Sequence, residues 1–141
     1  MICYAVVDTN VLVSALLSSR DDSATVQVIS RILDGDIIPV YSNDIIKEYR
    51  EVLNRKKFSF SPETISYLLL AVEQFGILVE PAPSGIMLPD MKDLPFYEVV
   101  LEKRNDSDTA FLVTGNTKHF PAKPFVVTPR ELLDILNEKK Q

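Results

Sequence analysis

The chain alternates short apolar runs with longer amphipathic segments, a pattern typical of strands that alternate with helices. The first run covers residues 1–7 and predicts a strand that ends at Val7, directly before Asp8. We predict further strands at residues 37–41, 77–79, 109–114 and 125–127. We predict helices at residues 10–17, 23–33, 42–54, 61–75, 93–103 and 128–138. Pro39 cannot donate to a strand ladder, which predicts an edge position or an irregular pairing for the second strand.

Alternating strands and helices predict an α/β fold in which helices cover both faces of a central, mostly parallel and twisted sheet. The carboxyl ends of parallel strands meet at one edge of the sheet, where ligands of such folds bind. Polar residues stand at the points where a strand or loop gives way to a helix or turn, namely Asp8, Ser42, Asp93 and Asn116. This edge is the predicted functional rim of a single domain that spans residues 1–141.

The composition is that of an ordinary globular protein, with 46% hydrophobic and 25% charged residues in a chain of 141. No apolar run approaches the ~20 residues of a membrane-spanning helix, and residues 1–7 lack the basic start of a signal peptide. The single cysteine, Cys3, lies in the first predicted strand and cannot form an internal disulfide. We therefore expect a cytoplasmic protein that does not associate with membranes.

The net charge of −5 argues against broad nonspecific binding of nucleic acid, which depends on Lys and Arg contacts to phosphates. It does not exclude a nucleic-acid enzyme, because carboxylates around a metal lower the overall charge while a local basic patch holds the substrate. One candidate patch for binding substrate comprises Arg50, Arg55, Lys56 and Lys57. The alternative is that these residues form a solvated helix end and loop, as most charge runs do.

Asp8 has two interpretations. It either caps the helix that follows or faces the crevice at the end of the first strand. Thr9 and Asn10 are also capping residue types, and we expect one of them to cap the helix. The cap therefore does not require Asp8.

Helical periodicity directs two further acids toward the predicted core. Glu48 lies within ~40° of Val52, at the edge of the buried stripe of its helix. Its carboxylate is therefore aimed inward, or it forms a salt bridge with a neighbouring helix. Asp93 begins a later helix and shares a side with Phe96 and Val100, so it either caps that helix or faces the same crevice as Asp8.

Several chemistries lack the residues that they need. His119 is the only histidine, and neither Cys3 nor any serine lies in a nucleophile motif, which disfavours covalent hydrolysis. The chain has no glycine-rich phosphate loop of a standard type, so a nucleotide cofactor is disfavoured. A phosphoacceptor or phosphatase with Asp8 as nucleophile is an alternative, but it needs a second acid two residues on, where this chain has Asn10.

Carboxylates that share one crevice raise each other's pKa unless a cation neutralises them. A hard divalent cation such as Mg²⁺ or Mn²⁺ does so through oxygen ligands and retained waters. Such a centre activates water and stabilises the charge of a phosphodiester under cleavage. The pattern therefore favours metal-dependent hydrolysis, with Asp8, Glu48 and Asp93 as the candidate acids.

Four motifs in order resemble those of PIN-domain ribonucleases, in particular the toxins of toxin–antitoxin systems related to the VapC toxins. They lie at residues 7–15, 42–53, 90–96 and 111–116. The resemblance implies a three-layer α/β/α PIN-like fold, RNA as substrate, and Mg²⁺ or Mn²⁺ held by Asp8, Glu48 and Asp93. It also implies supporting roles for Asn10 and Thr114, an antitoxin partner and homodimerisation.

One position departs from the family pattern, because many relatives carry an aspartate where this chain has Asn116. An asparagine can ligate a metal through its carbonyl oxygen or hold water beside it, but it contributes no negative charge. The missing charge at Asn116, the fourth corner of the predicted metal site, therefore bears on metal affinity and on occupancy by a second metal. The alternative to a nuclease is a catalytically weak or inactive PIN-like module that binds RNA or a partner protein.

Overall fold

The computed structural model describes residues 1–139, and each predicted strand and helix is present in it, with ends shifted by at most two residues. The strands are β1 (Cys3–Val7), β2 (Ile37–Tyr41), β3 (Ile77–Leu78), β4 (Ala110–Val113) and β5 (Val126–Val127). The helices of this part of the chain are α1 (Thr9–Leu17), α2 (Ala24–Leu33), α3 (Asn43–Leu53), α4 (Pro62–Phe75), α5 (Leu94–Arg104) and α6 (Pro129–Lys139). None of these helices combines the length and the apolar character needed to cross a membrane.

β1 lies at the centre of the sheet. The strand order is β3-β2-β1-β4-β5, and every neighbouring pair is parallel. α5 packs against β1, β2 and β4, whereas α6 packs against β4 and β5 and α2 packs against β2. The predicted three-layer α/β/α fold is confirmed, and its sheet is parallel throughout the described residues. Helices on both faces explain why β1 reads as a continuous apolar run.

Pro39 does not mark a sheet edge, so the edge alternative was wrong, whereas the pairing of β2 is incomplete at the proline as the other alternative expects. β2 is an interior strand that lies between β1 and β3. The short strand β3 pairs only with Val40 and Tyr41, so the ladder on that side begins after the proline. Because no bond to β3 is needed at Pro39, an interior strand can carry it.

Polar residues at the helix starts explain where several elements begin. Ser23, Ser42 and Ser61 each accept a hydrogen bond from the backbone N–H of the third residue that follows. Thr128 and Glu131 form a capping box at the start of α6. The Thr128 N–H donates to Glu131 Oε1 at 2.9 Å, and the Glu131 N–H donates to Thr128 Oγ1 at 3.1 Å.

Gly76 ends α4 where this helix approaches β2, and we expect Gly76→Ala to destabilise the fold. A β-carbon there would lie 2.3 Å from the carbonyl oxygen of Val72 and 2.6 Å from that of Pro39. Because both atoms belong to the backbone, the chain would have to shift, which should lower the free energy of unfolding by about 1–3 kcal/mol. Urea denaturation measures this loss.

Gly115→Ala is the matched control for that change. Its β-carbon would meet only the Asn10 side chain, at 3.7 Å, which is an ordinary contact. We expect its free energy of unfolding to change by less than about 0.5 kcal/mol. Equal losses in the two variants would contradict the role assigned to Gly76.

Candidate functional site

Asp8 stands at the carboxyl end of the central strand β1. Its backbone N–H donates to the Val113 carbonyl at 2.9 Å and continues the β1–β4 ladder beyond the last strand residue. The residue is only 7% exposed, and its Oδ2 accepts a hydrogen bond from the buried Thr114 hydroxyl at 2.8 Å. The neighbouring ends of β1 and β4 therefore place an acid beside the hydroxyl group that holds it.

The cap predicted for α1 was wrong. The helix begins at Thr9, and Asp8 occupies the N-cap position without a side-chain capping hydrogen bond. Burial raises the pKa of Asp8, although the Thr114 hydroxyl and the amide groups of Asn10 and Thr9 oppose this rise. The Thr9 and Asn10 side chains have other partners, because Thr9 donates to Glu48 Oε2 and Asn10 Oδ1 accepts from the Gly115 N–H at 3.3 Å.

Glu48 is partly buried on α3, and its carboxylate reaches the first turn of α1, where the Thr9 hydroxyl binds it. Within residues 1–139 it has no ion-pair partner, so the alternative of a salt bridge with a neighbouring helix is not found. Burial is the main cause that raises the pKa of Glu48, and the negative charge of Asp8 adds to it. The inward direction predicted from periodicity is therefore present.

Tyr49, the neighbour of Glu48, joins α3 to the end of β1. Its side chain is buried, and its hydroxyl donates a hydrogen bond to the Val7 carbonyl. Burial raises the pKa of the phenol, as do the charges of Asp8 and Glu48, so the hydroxyl stays a protonated donor. Periodicity identified Tyr49 only as a core residue, because this hydrogen bond depends on how the helix packs on the strand.

Asp93 occupies the N-cap position of α5, yet its side chain makes no capping hydrogen bond. Its Oδ2 atom is buried and has no hydrogen-bond partner in the described part of the chain. His119 Nδ1 lies 3.4 Å from this oxygen, close enough for attraction when the imidazole is protonated, but it supplies no hydrogen bond. Burial, together with the charges of Asp8 and Asp90, raises the pKa of Asp93 to about 6.

Asn116 and His119 follow β4 and complete this edge of the sheet. The Asn116 N–H donates to Thr114 Oγ1 at 3.0 Å, and Asn116 Nδ2 lies 2.9 Å from His119 Nε2. With the amide nitrogen as donor, the neutral imidazole carries its proton on Nδ1, the atom that faces Asp93. Sequence reasoning weighed His119 only as a member of a catalytic triad. Its position three residues after Asn116 is the signal that could have found it.

The three acids come from separate segments and act on one another through their charges. The charge of Asp8 raises the pKa of Glu48 and of Asp93, after the larger effect of burial in each case. Asp90 is exposed, and its charge acts on the same two acids in the same direction. The structure thus brings Asp8, Glu48 and Asp93 close enough for their charges to interact, and Asp90 is a further acid that acts on two of them.

Only one residue of the basic segment, which comprises Arg50, Arg55, Lys56 and Lys57, acts on a candidate acid. Burial raises the pKa of Glu48, whereas the positive charge of Arg55 lowers it, so Arg55 acts on this one acid. Arg50, Lys56 and Lys57 are exposed on the end of α3 and on the short turn that follows. The segment therefore presents its cations to solvent, and Arg55 is the one that acts on the candidate site.

The donor set suits a hard divalent cation, although the acids do not form a closed group of ligands. Within residues 1–139, no three Asp, Glu, His or Cys side chains are arranged to hold a metal ion. A cation would nevertheless satisfy the buried Oδ2 of Asp93 and relieve the repulsion between the acids. Because Mg²⁺ keeps several waters, only one or two direct carboxylate ligands are needed. The residues present therefore fit such an ion.

Comparison with known proteins places the chain in a family. A comparison with curated proteins and one with solved structures each found no significant match. A family model described as PIN domain matches residues 4–118. The match includes all four motif positions discussed above, whereas His119 lies one residue beyond it. Because the match covers most of the sequence, the chain belongs to the PIN domain family, whose members are generally nucleases.

Proposed function

We propose that this chain is a divalent-metal-dependent endoribonuclease that hydrolyses RNA phosphodiester bonds. Family membership supports nuclease chemistry. The observation that carries the proposal is the buried Oδ2 of Asp93, which has no hydrogen-bond partner in the described residues while the charges of Asp8 and Glu48 act on it. An ionised carboxylate in this state is unfavourable, and a cation between the acids would stabilise it.

Asp8, Glu48 and Asp93 would hold Mg²⁺ or Mn²⁺ directly or through water. The hydroxyl groups of Thr114 and Thr9 each bind one carboxylate oxygen, of Asp8 and of Glu48, and so fix the orientation of these two acids. When bound, the cation would lower the pKa of an attacking water and offset the charge that develops on the phosphate. These hydrogen bonds orient the two acids even when no cation is bound.

The basic segment after α3 would bind the phosphates of the RNA strand. Its members are Arg50, Arg55, Lys56 and Lys57. The Phe58 and Phe60 rings that follow stack on each other with 5.3 Å between their centroids, and Lys57 Nζ lies 5.1 Å from the Phe58 centroid. Both rings are half-buried. Aromatic rings beside cations are typical of surfaces that bind single strands, where bases stack and phosphates are neutralised.

A PIN-like module that binds RNA or a partner protein without cleavage is the second candidate. Two observations favour it: Asn116 contributes no charge at the fourth corner, and no three acids of residues 1–139 form a ready ligand group. Asn116 would then serve to fix His119 and not to support a metal. Calorimetry with Mn²⁺ separates the two candidates, because a module without a metal centre binds no Mn²⁺ even at millimolar concentration.

A role as the toxin of a toxin–antitoxin system is a finer proposal that rests on the resemblance of the four motifs. It includes an antitoxin protein as partner, a homodimer as the assembled state and the cytoplasm as the place of action. Growth arrest on expression, relieved by a small protein encoded beside this chain, would support the role. Analytical ultracentrifugation of the purified protein tests the dimer separately.

We expect Asp8→Asn to abolish RNA cleavage, because the substitution removes a charge from the metal centre and keeps the shape of the side chain. Loss of an outer partner of a metal ligand already costs about 10–100-fold, so loss of the acid itself should cost at least about a hundredfold. The assay is cleavage of a labelled RNA by pure protein in Mn²⁺, with EDTA added to a parallel sample. Asp108→Asn, which changes an exposed acid in a turn, is the control and should cleave normally. Equal cleavage in all samples would sink the proposal.

We expect Asp93→Asn to stabilise the metal-free protein at neutral pH but not in acid. The pKa of Asp93 is about 6 in the folded protein, against 3.8 for an unperturbed carboxyl group. The folded state therefore binds the proton more tightly, and the stability that this provides is present below about pH 4 and is lost as the pH rises through about 6. The variant should gain roughly 1–3 kcal/mol over the native chain at about pH 7.

Urea denaturation in EDTA, at about pH 4 and about pH 7, measures this difference. Asp108→Asn should show no comparable gain at neutral pH, because its carboxylate is solvated. A gain of the same size at both pH values would contradict the interpretation, because it would not come from ionisation of Asp93.

We expect Asn116→Asp to tighten Mn²⁺ binding, because it restores a charge at the corner where many relatives carry an acid. Affinity for hard cations rises with the number of charged oxygen ligands. Isothermal titration calorimetry on the native chain, on Asn116→Asp and on the exposed control Asn137→Asp measures the change. Identical Mn²⁺ affinities for the three proteins would place Asn116 outside the metal centre.

A further inference from the structure

A cleft beside the candidate acids has no part in the chemistry described so far. It lies between α1, the start of α2 and the start of α6 and has a volume of about 490 Å³. Val11, Ala24 and Pro129 supply apolar lining, and Asn10 and Asn116 supply polar lining. Clefts of about 300–1,000 Å³ are of the size that holds a small organic ligand, and they combine apolar walls with a few polar groups.

Three residues that line the cleft also lie next to the residues around the acids. Asn10 Oδ1 accepts a hydrogen bond from the Gly115 N–H at 3.3 Å, and both residues line the cleft. Asn116 also lines it, and its side chain contacts His119, which faces Asp93. A ligand in the cleft would therefore contact the residues that border the acids.

Arg130 supplies a cation at the rim of the cleft. Arg130 is exposed at the start of α6. Its positive charge also acts on Asp22: hydrogen bonds from Arg20 are the main cause that lowers the pKa of Asp22, and the charge of Arg130 lowers it further. A guanidinium group is well suited to bind phosphate oxygens in pairs. The Ser14 and Thr25 hydroxyl groups, which lie 3.4 Å apart, add polar partners to the wall.

We propose that this cleft binds the nucleoside adjacent to the cleaved phosphate, with Arg130 on the next phosphate of the strand. The inference rests on the proposed ribonuclease function and says that one nucleoside of the RNA substrate lies in this cleft. The apolar wall would cover the faces of a base, while hydroxyl and amide groups would meet its polar edge. A base held in this way is unpaired, as bases in sequence-reading RNA sites generally are.

The first test fills the cleft. It uses the full chain with Asp8→Asn in EDTA, so that RNA binds but is not cut. Fluorescence anisotropy measures the affinity for an end-labelled single-stranded RNA of about eight nucleotides. Ser14→Trp, at an exposed helix position, would place an indole ring in the cleft and should weaken binding about tenfold, the effect of losing one base contact.

Ser66→Trp is the matched control, because it makes the same change on the exposed face of α4, away from the cleft. It should alter the affinity by less than about twofold. Thermal unfolding curves verify that both variants are folded. Equal affinities of the Ser14→Trp and Ser66→Trp proteins would overturn the proposal, and so would the absence of measurable RNA binding by their parent.

The second test removes the cation at the rim. Arg130→Gln should weaken binding about fivefold at low salt and reduce the salt dependence by roughly one phosphate contact. Lys47→Gln removes an exposed cation of α3 that does not line the cleft, and it should leave the salt dependence unchanged. Identical salt dependence in both variants would remove Arg130 from the proposed site.

The third test locates the base. Single abasic residues are placed in turn along the RNA, and one position should weaken binding about tenfold in the parent but cause no further loss in Ser14→Trp. Equal losses of affinity at every position would overturn the proposal, and so would a position-specific loss that is as large in Ser14→Trp as in the parent.

Cleavage in Mn²⁺ by the chain with Asp8 intact is measured separately. Position-specific binding without cleavage refutes only the nuclease proposal, whereas cleavage that is insensitive to Ser14→Trp refutes only the cleft.

Discussion

Asp8, Glu48 and Asp93 carry like charges into a crevice where burial already raises the pKa of each. Repulsion between like charges lowers the free energy of unfolding, which is only about 5–15 kcal/mol for a domain. The surrounding structure must therefore hold these acids against their own repulsion. The Thr114 and Thr9 hydroxyl groups do this for Asp8 and Glu48, whereas Asp93 Oδ2 has no such donor in the described residues. Because Asp93 is the one of the three acids without such a donor, a cation would stabilise the site most beside Asp93.

The sheet supplies the rigidity that this arrangement requires. β1 is paired on both sides, and the Asp8 N–H extends its ladder to β4, so the position of the first acid is set by backbone bonds. Tyr49 then fixes α3 against the end of β1, because its buried hydroxyl donates to the Val7 carbonyl. Glu48 is its neighbour in sequence, so one hydrogen bond locates the second acid relative to the first. Substitutions that weaken the β1–β4 ladder or the Tyr49 hydrogen bond would therefore alter the site without changing any of the three acids.

Local signals in the sequence were enough to predict the elements and the inward direction of Glu48, but not the partners of the acids. The strand before Asp8, the serine caps and the helical direction of Glu48 each depend on neighbours within a few residues, and each is present in the structure. The edge position expected from Pro39 was wrong because it depends on the length of a distant strand, β3. The role of His119 and the cleft beside α6 depend on segments that meet only after folding. Sequence periodicity carries no information about such meetings.

The two sides of the candidate site differ, because only one of them carries Asn116 and His119, and this difference bears on how an RNA strand would bind across the site. On one side, Arg55 acts on Glu48 and continues into exposed cations and stacked rings. On the other side, Asn116 is a neutral amide that contacts His119, whose Nδ1 faces Asp93, and Asn116 also lines the cleft that has Arg130 at its rim. An acidic crevice between two cationic borders attracts a polyanion at its edges and repels it at its centre. Bound phosphates would therefore settle beside the acids until a cation allows one of them to enter.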